Sequence, residues 1–167
     1  LVEPIKRDKA YEFIRKQVKK GRQVFVICPL IQSPDSGIQL LENTFLFPIT
    51  TDRKSVITEY EKLSKQIFPD LRVGFLHGKL KPKEKDGVMR KFKAGEIDLL
   101  VSTSVVEVGV DIPNASVMMI EGAESFGLAQ LHQFRGRVGR SIHQSYCLLF
   151  TVSDSAKSLE RLKFFEQ

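Results

Sequence analysis

The sequence predicts an α/β domain, a mainly parallel sheet flanked by helices, and three observations carry that expectation. Short apolar, β-branched runs recur along the 167 residues, stretches of helical periodicity alternate with them, and the connections between are mostly short. The length fits one domain, large enough to bury roughly 70% of its unfolded surface. With 42% hydrophobic and 28% charged residues, wholesale disorder and a fibrous fold are excluded.

The elements follow in order. A first helix is predicted over 8–20, where Ala10, Phe13, Ile14 and Val18 share a stripe and Gly21 supplies a stop. A strand follows at 24–28. The stretch 32–51 carries proline and serine turns around an apolar string, and is expected to be a hairpin or loop packing its own Leu41, Phe45 and Phe47. Val56, Tyr60, Leu63 and Ile67 recur at helical spacing over 52–68, and Pro69 ends that helix. After a strand at 71–76, Pro82 opens a third helix with Val88, Met89 and Phe92 inward and Gly95 closing it. Strands are then expected at 97–101, 117–120 and 146–150, with helices over 127–138 and 155–165.

No apolar run approaches 18 residues, so no transmembrane helix is expected, and the charged opening 1–9 does not resemble a secretory signal. Cys28 and Cys147 sit inside apolar runs far apart. They suit buried thiols in a reducing compartment better than a disulfide scaffold or a metal site. The formal charge of +6 is uneven: 6–22 holds eight basic residues against Asp8 and Glu12, and 79–93 holds seven against Glu84 and Asp86. Between 94 and 134 there is no Lys or Arg, and then Arg135, Arg137 and Arg140 arrive together. A lysine run is ordinarily a solvated helix face. The arginine group is harder to treat as solubility decoration.

Three motifs carry chemistry. In Gln133-Phe-Arg-Gly-Arg-Val-Gly-Arg140, a continuous helix would project Gln133, Arg137 and Arg140 from one face, with Gly136 and Gly139 leaving room for close approach. Paired guanidinium forks match the oxygens of a polyphosphate. In Ser102-Thr-Ser-Val-Val-Glu-Val-Gly-Val-Asp111, directly after a strand, Thr103 could donate to a nucleic-acid phosphate and Asp111, behind Gly109, could accept from sugar hydroxyls. A hydroxyl-rich turn capping a helix is the competing account. Leu76-His-Gly-Lys places a single histidine at a strand end; a structural role is its default, and no partner is spaced to make a metal site.

Taken in order, these pieces resemble the second RecA-like domain of superfamily 2 helicases: the strand 24–31 looks like motif IV, 103–111 like motif V, 133–140 like motif VI. Cys28-Pro-Leu-Ile, His77-Gly, the run 89–103, Glu107-Val-Gly-Val-Asp-Ile-Pro-Asn-Ala and 126–140 are similar to the RecG family of DNA helicases. The transcription-repair coupling factor shares the 126–140 region, whereas Cys-Pro-Leu-Ile and Ser145-Tyr-Cys-Leu-Leu favour RecG. The resemblance implies a RecA-like three-layer sandwich over 1–154, with 155–167 opening a following helical segment. It implies ATP with Mg²⁺ as cofactor, and as partners branched or duplex DNA and the first RecA-like and wedge domains of the same parent chain. Arg137 and Arg140 would reach the γ-phosphate with Gln133 beside them, Asp111 and Gly109 would meet the ribose, and Thr103, His77 and Gly78 would lie on the nucleic-acid side. A bacterial cytoplasmic, nucleoid-associated protein is expected. A coupling-factor-like translocase and a non-catalytic nucleic-acid-binding module are the alternatives.

Departures from the family matter as much. A phosphate-binding loop needs four residues between its glycines, and Gly74-Phe-Leu-His-Gly-Lys-Leu has one too few and no hydroxyl. No Asp-Glu-x-His or Asp-Glu-x-Gln occurs either. The chain is therefore expected to be a piece of a longer motor that does not hydrolyse ATP by itself. The stretch 32–51 is about a dozen residues longer than the family pattern suggests, with no functional role assigned to it.

Overall fold

The computed structural model describes residues 1–30, 52–103, 112–139, 141–153 and 155–166. Five strands form one sheet: β1 (Gln23–Ile27), β2 (Val73–Phe75), β3 (Leu99–Ser102), β4 (Ala115–Ile120) and β5 (Tyr146–Leu149), in the order β2-β3-β1-β4-β5 with every pairing parallel. β1 lies at the centre, with Phe25 opposite Leu100 on one side and Met118 on the other. All residues of β1, β3 and β4 are buried. Strands covered on both faces have no need of polar alternation, which is why these segments read as continuous apolar runs.

Side chains alternate between two cores. Phe25, Ile27, Leu100, Met118 and Ile120 face Phe92, Leu131, Phe134, Leu162 and Phe165. Val24, Val26, Leu99, Val101, Val117 and Met119 face Tyr11, Ile14, Val56, Leu63 and Phe68. The helices sort accordingly. α1 (Arg7–Lys19) and α2 (Asp52–Glu61) cover one face; α3 (Pro82–Lys93), α4 (Leu128–Arg135) and α5 (Ala156–Glu166) cover the other.

Local chemistry sets the helix ends. α1 stops in a Schellman arrangement: Gly21 is left-handed at φ +81°, its N–H donates to the Val18 carbonyl, and the Arg22 N–H donates to Gln17. α3 opens on Pro82, and the Glu84 carboxylate accepts the Lys81 N–H at 2.7 Å. The single helix expected over 52–68 divides in two. Beyond Glu61 the chain widens into a π-helical turn, Lys62–Ile67, and the Phe68 N–H donates five residues back to Leu63. That wider turn lets Phe68 bury completely, edge-on to the Tyr11 ring at 5.6 Å.

Cys28 is buried, its Sγ 3.7 Å from the Ser102 carbonyl, Cys147 is half-buried, and burial pushes the Cys147 thiol up to about 11. No helix among the described residues is long and apolar enough to cross a membrane. The apolar string expected to pack on itself within 32–51 lies outside the described residues.

Candidate nucleotide and nucleic-acid site

Parallel strands deliver their following residues to one edge of the sheet, where ligand groups of α/β folds gather. At this carboxyl edge lie His77 after β2, Thr103 after β3, Glu121 after β4 and Thr151 after β5. His77 is buried and stacks on Phe75 with ring centres 5.7 Å apart, and its carbonyl accepts the Leu80 N–H. Gly78 and Lys79 are exposed where the chain leads into α3, and Thr103 is half-buried. These residues share one edge, as their positions after strands require.

The same edge holds an ionic cluster with no sequence signal. Arg7 Nη2 and Nη1 donate to the two oxygens of Glu121 at 2.5 and 3.1 Å, Nη1 reaches the Tyr11 hydroxyl at 3.2 Å, and Nη2 lies 3.4 Å from the Thr151 carbonyl. The guanidinium also sits 5.3 Å from the centre of the Phe150 ring. Burial alone would lower the Arg7 pKa; the hydrogen bonds to Glu121 and Tyr11 and the Glu121 charge outweigh it and hold the group above its usual value. Buried Glu59 of α2 shares this environment. Burial raises its pKa above the usual carboxylate value, Lys62 and Arg7 oppose the shift, and Glu121 reinforces it. Its Oε1 has no hydrogen bond among the described residues and lies 3.9 Å from Lys62 Nζ. Among the described residues no group of three His, Cys, Asp or Glu side chains could hold a metal ion.

The arginine motif lies elsewhere. Because β4 and β5 run parallel, the chain between them must return from the carboxyl edge to the amino edge, and α4 makes that return. α4 stops at Arg135, not at 138 as the periodicity predicts, so Gln133 and Arg137 do not share a continuous helical face. Gly136 caps the helix, and the N–H groups of Arg137 and Val138 close turns onto Phe134 and Arg135. Gly139 is left-handed at φ +88°, and a Cβ there would stand 2.7 Å from Ser145 Oγ. A glycine weakens the helix by about 1 kcal/mol and a left-handed residue ends it. Gly139 thus provides close approach, but to the protein's own Ser145.

The result is an open basic turn. Val138 is buried in the core while Gln133, Arg135 and Arg137 are exposed. Arg137 has no ion pair among the described residues. An uncompensated, solvent-facing guanidinium on a fixed backbone fits the oxygens of a polyphosphate. Thr103 and His77 are not brought to it, since the length of a strand, about 13 Å, separates the two edges. Arg140, Gly109 and Asp111 lie outside the described residues.

A three-layer sheet with a glycine-arginine turn at the end of α4 defines a helicase domain: residues 5–142 match the helicase conserved C-terminal domain, and the chain belongs to that family. Within it the chain is similar to ATP-dependent DNA helicase RecG. It is 49% identical over 160 residues to that of Staphylococcus aureus, covering 96% of this chain and 21% of the relative. The Thermotoga maritima protein is 45% identical over 158 residues, covering 95% and 18%. A solved structure of RecG bound to a three-way DNA junction matches at 43% identity and a TM-score of 0.72, over 98% of this chain and 19% of that one. The chain thus spans about a fifth of the length of the curated relatives it matches. The five-stranded parallel sheet flanked by helices is the RecA-like fold of helicase C-terminal domains.

Proposed function

We propose that this chain is the C-terminal motor domain of an ATP-dependent DNA helicase that remodels branched DNA, including stalled forks and Holliday junctions, in recombination and repair. Residues 1–154 form the motor domain and 155–167 open the helical segment that follows. The observation that carries this assignment is the turn after α4, where Arg137 is exposed with no ion pair among the described residues, between buried Phe134 and Val138. Likeness to RecG over nearly the whole chain gives the turn its partner chemistry.

ATP with Mg²⁺ supplies a transferable phosphoryl group when held in the cleft between this domain and the first RecA-like domain, whose residues provide the Mg²⁺ ligands. Arg137 and Arg140 would reach into that cleft and neutralise charge on a phosphoryl group in transfer, with Gln133 hydrogen-bonding beside them. Gly109 and Asp111 would contact the ribose. On the carboxyl edge Thr103, with His77 and Gly78, lies along the nucleic-acid backbone. Phosphate contacts hold DNA without reading its sequence, so binding depends on DNA structure and weakens with salt. The parent protein works in the bacterial cytoplasm on nucleoid DNA, alongside a wedge domain in the same chain.

Two measurements test this. In the full-length protein, Arg137→Ala should keep ATP affinity within about tenfold while DNA-stimulated hydrolysis falls about 10³-fold or more; near-normal turnover would remove the assigned role. The purified 167-residue chain, lacking a phosphate-binding loop, should show no ATP hydrolysis. Turnover by a contaminant-free preparation would refute the shared-site proposal.

A further inference from the structure

The turn that carries Arg137 continues to β5 through a segment with almost no apolar anchorage. Among the described residues Val138 is the last buried one before β5, Ile142 is 97% exposed, and the others between Gly139 and Tyr146 are at most half-buried. Such a segment gains little from the hydrophobic effect, so its conformation must be held by polar contacts. Among the described residues one long-range side-chain contact is present: Arg22 Nη2 lies 2.9 Å from His143 Nδ1, joining residues 121 positions apart. Arginine has only donors, so Nδ1 is the acceptor in this contact. The His143 N–H in turn donates to Ser141 Oγ at 3.1 Å.

The other end of this tether is rigid. Arg22 follows the Schellman stop of α1, its own N–H bonded to Gln17, and leads straight into central β1. We propose that Arg22 and His143 are positioning residues for phosphoryl transfer. Their hydrogen bond ties the segment at His143 to the α1–β1 corner and so fixes where the Arg137 guanidinium is presented. This rests on the role assigned to Arg137 above. The two contacts act on different things. Gly139 against Ser145 sets the shape of the turn, and the Arg22–His143 bond sets its place relative to the sheet. Misplacement of a charge-stabilising group by about 1 Å costs up to about a hundredfold in rate, so loss of the tether registers in catalysis before it registers in folding.

The test is steady-state ATP hydrolysis by the full-length protein at saturating DNA, with thermal unfolding measured in parallel. His143→Leu should lower kcat about tenfold with KM for ATP within about twofold and no change in the unfolding midpoint. His143→Gln, whose amide oxygen can accept from Arg22, should recover most of the rate. Arg22→Ala should match His143→Leu, and the double variant should lose no more than either single one. Normal kcat in His143→Leu, alongside an Arg137→Ala protein that is inactive, overturns the tether and leaves the function standing. Equal losses in His143→Gln and His143→Leu, with a lowered unfolding midpoint, also overturn it, because the histidine would then serve stability alone. Normal turnover in Arg137→Ala defeats the function and the tether together.

Discussion

Arg7 and Arg137 carry the same guanidinium to opposite ends of the sheet, and their surroundings could hardly differ more. Arg7 commits its donors to Glu121, Tyr11 and Thr151 and lies over the Phe150 ring. Arg137 faces solvent, and no carboxylate among the described residues answers it. Both sit among other basic residues, so counting charges along the chain treats them alike. The difference teaches that a basic residue points outward to a ligand only when the fold has left its donors uncommitted.

Removing each arginine should therefore break different things. The largest effect expected is the loss of about three orders of magnitude in DNA-stimulated turnover on Arg137→Ala, with the unfolding free energy within about 0.5 kcal/mol of the parent because the side chain is exposed. Arg7→Ala should reverse that profile. Stranding the buried Glu121 carboxylate costs about 3–5 kcal/mol, measurable by denaturant titration of the isolated chain. An Arg7→Ala chain of ordinary stability would dissolve the contrast between the two sites.

A finer test uses Glu59, which shares Arg7's surroundings. Burial raises its folded pKa above the unfolded value, so the folded chain binds that proton more tightly. The stability linked to it is complete below the unfolded pKa and is lost as pH rises through the folded pKa. Glu59→Gln cannot ionise and should flatten that decline. It should stabilise the chain by about 1 kcal/mol near neutral pH and change little in acid. Denaturant titrations at the two pH values check this, and parallel profiles for the two proteins would show that Glu59 has no such linkage.

Much of this fold is legible in the sequence because its signals are local. Among the described residues the five strands lie where the β-branched runs fall, and the five α-helices lie within or beside the stretches that periodicity marks. What local pattern misses depends on distant partners. The π turn at Lys62–Ile67 exists because Phe68 must reach Tyr11, and nothing in the spacing of Leu63 and Ile67 announces it. α4 stops short of Arg137: past Gly136 the N–H groups of Arg137 and Val138 bond only three residues back, and left-handed Gly139 then turns the chain toward Ser145. Periodicity, which treats glycine as merely a weak helix former, carries the helix on. The candidate site divides the same way: the exposed Gln133 and Arg137 could be picked out by residue type and order. The Arg7–Glu121 pair and the Arg22–His143 contact join residues more than a hundred positions apart, and only the strand order β2-β3-β1-β4-β5 brings them together.

The parallel bridge between Val2 and Phe150 gives the domain a mechanical property. The Val2 N–H bonds to Leu149 at 2.7 Å and its carbonyl accepts from Thr151 at 3.2 Å. Traction applied at Leu1 along the strand direction would load those two bonds in shear, a strong geometry, instead of peeling them apart one at a time. Arg7, a turn further on, fastens the same corner to Thr151 and Glu121. Tension entering at this end is thus borne by the tips of β4 and β5 before α1 begins to unwind.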